Sequence, residues 1–203
     1  TAGLFLANRL RSVGLAVIIL EAGGFDAVAP EAFDQRCRQL GIPYRGAESG
    51  RSFGLGGTSV LWGGQMLSLT PQDVGPRLHA GFPAWPVAHT EIVSRIPEVL
   101  STFGLPQPVP GDARDDQSAI DRHYGELRSF GPAFNLRLSA WLPFATRNFA
   151  HTFREMLKHD DRMVAWIGAH VVTIDADSAN AARTVRQIVA KSASGRAIRV
   201  RAR

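Results

Sequence analysis

Five glycines fall within residues 51–64, RSFGLGGTSVLWGG, and this stretch limits the fold of the chain more than any other. Gly54, Gly56, Gly57, Gly63 and Gly64 allow positive φ angles and let backbone come close to a ligand, where a Cβ would collide. Thr58 and Ser59 add hydroxyls and Arg51 a fixed positive charge. Consecutive amides in turns of this kind form concavities that favour anions, and the expected anion is a pyrophosphate. The same residues also suit a plain tight turn in an ordinary globular domain.

The start of the chain bears on that choice. Thr1-Ala2-Gly3 runs into LFLANRLRSVGLAVIILEAGG, in which Leu4, Ala7, Leu10 and Val13 recur near helical spacing. Gly14 is placed to cap that helix, and LAVIIL is a continuous apolar run ending at Glu21. A helix followed by a buried parallel strand is expected. In a dinucleotide-binding unit the third glycine of GxGxxG opens the helix, and an acidic residue about 20 positions later binds the ribose hydroxyls. Gly3 and Glu21 fit those places, although an acidic residue at a strand end is also commonly just solvated. The preceding strand and the first two glycines are not in the sequence, so the chain is expected to begin inside its own motif.

At this point the chain resembles the glucose-methanol-choline (GMC) oxidoreductases. TAGLFLANRL is similar to the end of the family's GxGTAG segment, LEAGG to its ribose-binding strand end, and FGLGGTSVLWGG to the loop packed on the flavin. AWPVAHTEIVSRIPEVLSTFGL resembles the family's WP-led helix, WLPFATRNFAHTF a later substrate-domain helix, and AHVVTIDAD the strand whose valine touches adenine. The likeness covers nearly the whole chain, and the glycine loop with WGG is its most specific part.

That resemblance implies an α/β fold: a Rossmann-like FAD-binding domain of glutathione-reductase type with a β meander, plus part of a substrate-binding domain. It implies FAD contacts at Gly3, Glu21, Arg51, Gly56, Gly57, Thr58, Ser59, Trp62, Gly63, Gly64 and Val171. The expected activity is removal of a hydride from the CH–OH group of an alcohol or sugar, with the electron acceptor left open. Some family members tether the flavin through a histidine in this loop. The matching position here is Leu61, so FAD is expected to be held non-covalently. The family's catalytic histidine lies in a C-terminal portion beyond Arg203, so no catalytic residue is expected within an internal fragment such as this. A flavoprotein lyase of the same fold and a non-catalytic dinucleotide-binding fragment are the alternative readings.

Composition narrows the other classes. A chain of 203 residues with 45% hydrophobic and 20% charged residues has the makings of one or two soluble globular domains. Its net charge of +5 gathers in the last stretch, where Arg196, Arg199, Arg201 and Arg203 mostly alternate with apolar residues as on a half-buried strand. Aromatic side chains for base stacking are absent there, so no nucleic-acid partner is expected. Cys37, the single cysteine, permits neither an internal disulfide nor a cysteine metal cluster. The six histidines lack HExxH spacing, and Ser59 is followed by Val60 and Leu61 rather than by the GxSxG pattern. Neither a metal site nor a serine nucleophile is expected. No apolar run approaches the roughly 20 residues of a membrane helix. A soluble protein is expected, its compartment left open between cytoplasm and periplasm along with any upstream signal.

The expected organisation has three parts: residues 1–80 as the first part of the FAD domain, 81–160 as substrate-domain and connecting helices, and 161–203 as the meander. One short helix is expected around Ala32 to Leu40, and an exposed connection from Pro106 to Asp116. Thr70-Pro71-Gln72-Asp73 reads as a turn or helix start. A helix from Thr90 to Phe103, capped by Thr90, should be bent by Pro97. Phe149, Phe153, Met156 and Leu157 line one helical face that starts near Asn148. The runs MVAWI, VVTIDA, TVRQIVAK and RAIRVRA then read as short strands separated by turns at Asp177–Asn180 and Ser194-Gly195.

Overall fold

The structure is a computed structural model that describes residues 1–26, 40–44, 46, 50–77, 81–105, 139–177 and 184–201. The helix expected from Ala32, Cys37 and the connection from Pro106 to Asp116 lie outside the described residues. The chain divides into two compact units, one made of Thr1–Trp62 with Ala145–Arg203, the other of Gly63–Phe144.

In the first unit, α1 (Ala2–Ser12) buries Leu4 and Ala7, each 3% exposed, and stops at a left-handed glycine. Gly14 has φ of 89°, and the amides of Gly14 and Leu15 donate to the carbonyls of Arg11 and Leu10 at 2.9 and 3.2 Å. This pair of bonds satisfies the helix's last carbonyls in a conformation that suits glycine and reverses the chain. Val13, expected on the buried stripe, lies at this turn and is 63% exposed.

The chain then enters β1 (Val17–Leu20), which pairs in parallel with β4 (Met163–Trp166) from Val17↔Met163 through Leu20↔Trp166. The strand is half-buried rather than buried. Ile18 and Val164, opposite each other on one face, are 48% and 45% exposed, while Met163 is 4% exposed. A parallel strand is sealed on both faces only when helices cover both. Among the described residues β1 has a single hydrogen-bonded neighbour, β4. The guanidinium of Arg11 bonds the carboxylate of Asp160, tying the end of α1 to the turn that leads into β4.

Ahead of that turn lie α5 (Phe149–Thr152) and α6 (Arg154–His159). Asn148 caps α5, its Oδ1 accepting from the Ala150 amide at 3.0 Å. Phe149 and Phe153 are 4% and 5% exposed and meet edge to face at 6.1 Å, whereas Met156 and Leu157 are half-buried. Burying such a side chain contributes roughly 1.5–3 kcal/mol, so the two rings anchor this segment.

Beyond β4, β5 (His170–Asp177), β6 (Thr184–Lys191) and β7 (Ala197–Val200) form an antiparallel sheet in chain order. Val171, Ala190 and Ile198 lie opposite one another across the three strands, as do Ile174, Ile188 and Val200. Directly paired residues share a face, so one side of the sheet is apolar. Arg199 pairs with Val189 on the other side and is exposed. Gly195, with φ of 80°, makes the β6–β7 turn.

The second unit contains β2 (Gln65–Met66) paired antiparallel with β3 (Ala140–Trp141). Next comes α2 (Pro71–Val74), where Thr70 and Asp73 form a reciprocal capping box. Instead of one bent helix from Thr90, the chain forms α3 (His89–Val93) and α4 (Ile96–Thr102). Pro97 sits in the first turn of α4, where its missing N–H leaves no helical bond unmade, so it starts a helix instead of kinking one. Thr90 lies inside α3, whose N-cap is Ala88. Among the described residues of this unit, Val74, Leu100, Phe103 and Leu142 are the buried apolar side chains.

Candidate functional site

The glycine stretch in the first unit is fastened at both ends of the α1–β1 pair. The Thr1 hydroxyl donates to the Gly56 carbonyl at 3.2 Å, which joins the start of α1 to the loop. At the end of β1, Oε1 of Glu21 accepts from the Gly23 amide at 2.8 Å and from the Gly54 amide at 3.1 Å. The Leu55 amide donates to the Gly24 carbonyl at 2.9 Å. Residues 54–56 therefore bridge the helix start and the acidic strand end. Two amides on one oxygen leave Oε2 of Glu21 with no hydrogen bond among the described residues.

Glycine is required sterically at two places in this contact. A Cβ on Gly23 would lie 2.4 Å from the Gly54 nitrogen and 2.5 Å from the Phe53 carbonyl carbon. One on Gly56, where φ is 100°, would lie 2.8 Å from Oδ1 of Asn148 and 3.0 Å from the Ala150 nitrogen. Gly54, Gly57 and Gly64 also take positive φ, but Gly63 does not. Gly3 differs in kind: a Cβ there would meet nothing within 4 Å, so the space beside Gly3 is open.

The hydroxyls divide between two roles. Ser59 is 2% exposed, its Oγ donating to the Gly56 carbonyl at 2.7 Å and accepting from the Phe149 amide at 3.1 Å. It fastens the loop to α5 rather than presenting a donor outward. Thr58, one residue earlier in the short 3-10 turn Gly57–Val60, is exposed. Arg51 is exposed and makes no ion pair or hydrogen bond among the described residues. Trp62 donates from Nε1 to the Arg147 carbonyl at 2.7 Å and meets Phe149 edge to face at 5.7 Å. Gly63 and Gly64 belong to the second unit, where the Gly64 carbonyl accepts from the Leu142 amide at 2.9 Å.

On the opposite flank of Glu21 runs the segment that follows β4. The Ala169 amide donates to the Glu21 carbonyl and the Gly168 amide to the Gly23 carbonyl, both at 2.8 Å. Val171 follows two residues later, half-buried and paired with Ala190. The structure thus gathers the acid, the glycine loop and the start of β5 around residues 21–24.

Several members of this arrangement were not among the cofactor contacts expected from sequence. Gly23, Gly54, Asn148 and Phe149 hold the loop in place through backbone or packing contacts. Only the Gly23-Gly24 pair directly after the acid signals such an approach. The chemistry this geometry offers is anion and hydroxyl binding by amides, a helix start and a half-occupied carboxylate.

No protein-family model matches the chain, and no curated protein or solved structure does either. Among the described residues, no helix is long and apolar enough to cross a membrane.

Proposed function

We infer that this chain is the FAD-binding part of an FAD-dependent oxidoreductase of GMC type, built on a Rossmann-like α/β fold and acting on the CH–OH group of an alcohol or sugar. The observation that carries this reading is the Glu21 carboxylate, held at the end of a parallel strand by the amides of Gly23 and Gly54 with one oxygen left over. That oxygen is suited to accept from a ribose hydroxyl. Gly3, in the first turn of α1 with open space beside it, would lie against the pyrophosphate, where helix amides and dipole favour negative charge. Thr58 would add its hydroxyl to that cradle and Arg51 its charge, while Gly56 and Gly57, whose amide is given to the Gly54 carbonyl at 2.8 Å, would let the backbone approach closely.

The remaining assignments rest on the motif likeness. Trp62, Gly63 and Gly64 would border the flavin ring, and Val171 the adenine. A bound FAD would supply the two-electron acceptor for the alcohol C–H bond. The chain's own residues bind and orient it, and none of them is assigned the proton transfer.

Titration of FAD, read by quenching of flavin fluorescence, tests the assignment. Saturable binding at one site, weakened about tenfold or more in Glu21→Ala by loss of a charged acceptor, is expected. Equal affinity in the variant, or no saturable binding in the parent, would rule it out.

A further inference from the structure

Beside the glycine loop, on the side of α5 and α6, the first unit has a cleft of about 460 Å³. Its volume falls in the range of small-molecule sites, roughly 300–1,000 Å³. Leu55 and Val60 of the loop and Leu157 of α6 supply apolar walls, and Leu55 is only 4% exposed. Among the described residues the charged lining is Arg154 and Lys158 against the one acid Asp26, with His151 and Asn148 as further polar groups. Lys158 leans toward Glu155 of its own helix, at 4.0 Å, whereas Arg154 has no ion pair or hydrogen bond to its side chain among the described residues.

We propose that this cleft binds a small amphipathic oxyanion, an apolar or aromatic body bearing a carboxylate or phosphate, with Arg154 taking the charged group. The guanidinium fork matches either oxyanion with two parallel hydrogen bonds and stays charged at any working pH. The apolar body would displace water from the surfaces of Val60 and Leu157. Because Leu55 and Val60 belong to the stretch that Glu21 and Thr1 fasten, an occupant would press on the same loop from another side. The proposal does not depend on FAD, since its charged group is met by Arg154 of α6 and the ligand need not be a nucleotide.

The test is titration of the protein with phenylacetate, phenyl phosphate, benzyl alcohol and benzyltrimethylammonium, followed by amide shifts in nitrogen-15 spectra. The expected result is a common saturating shift at Leu55, Val60, Ala150 and Leu157, with at least one oxyanion bound about tenfold more tightly than the alcohol or the cation. Phenyl phosphate above phenylacetate would identify the phosphate class, and the reverse order the carboxylate class. Arg154→Gln, an exposed substitution, should remove most of the preference. Scattered shifts that do not saturate, equal affinity for the alcohol, or an unchanged preference in Arg154→Gln would each overturn the proposal.

Discussion

The carboxylate of Glu21 accepts a hydrogen bond from the amide of Gly54, 33 residues further along the chain, at 3.1 Å. Together with the bond from the Leu55 amide to the Gly24 carbonyl, this contact holds the glycine loop against the end of β1 before any ligand arrives. In Glu21→Ala both amide partners lose a charged acceptor, and the half-exposed position lets water replace part of it. A loss of about 1–3 kcal/mol in stability is expected, with Glu21→Gln, which keeps an acceptor oxygen, losing less. Urea unfolding midpoints and exchange protection at the Gly54 amide measure both effects.

Substitution of two glycines separates steric from conformational cost. Gly14→Ala meets no atom within 4 Å but must hold φ near 89°, so a cost of about 1–2 kcal/mol is expected. Gly23→Ala would drive a methyl into the Phe53–Gly54 backbone, which cannot yield as a side-chain tip can. A cost of about 1–3 kcal/mol with loss of Gly54 protection is expected there, while Gly14→Ala should leave that protection intact. Thermal unfolding with amide exchange distinguishes the two.

Acid should loosen the tie between α1 and β4. The Arg11 guanidinium bonded to Asp160, aided by the Arg162 amide, holds the Asp160 carboxyl below its usual range. A depressed carboxyl contributes stability above its unfolded value of about 3.9, and that contribution is lost as pH falls through the folded value. Asp160→Asn should therefore be less stable than the parent at neutral pH, with the gap closing below about pH 4. A gap that stays constant across this window would contradict the assignment.

A flavin held by this loop should be released by acid. Residues 51–64 contain no histidine, cysteine or tyrosine, and Leu61, 59% exposed, has no nucleophilic atom. Acid precipitation of the flavin-loaded protein should leave the yellow colour in the supernatant. Colour retained in the washed pellet would show a covalent bond.

What could be read from sequence was set by local chemistry. Leu4 and Ala7 at helical spacing, Gly14 beyond the last turn, and the helix start at Thr70-Pro71-Gln72-Asp73 each encode their element within a few residues, and each stands in the structure. Pro97 was equally visible but ambiguous, because a proline bends a helix or starts one according to whether the preceding turn is already formed. The exposure of Ile18 was not legible, since an apolar run reports what a strand can bury and not how many neighbours cover it. In the site, Glu21 stood out by its place after LAVIIL. The inward turn of Ser59 did not, because its partners, Gly56 and Phe149, are set by tertiary packing across 90 residues in the second case.

The most direct measurement is an amide shift map of the nitrogen-15-labelled protein on addition of FAD, with FMN, which lacks the adenosine half, as comparison. With FAD, the amides of Gly3, Gly23, Gly54, Gly56, Thr58 and Val171 are expected to move together to one saturation, and FMN should leave Gly23 and Val171 in place. Shifts confined to other residues, or identical maps for FAD and FMN, would contradict a dinucleotide site organised by Glu21.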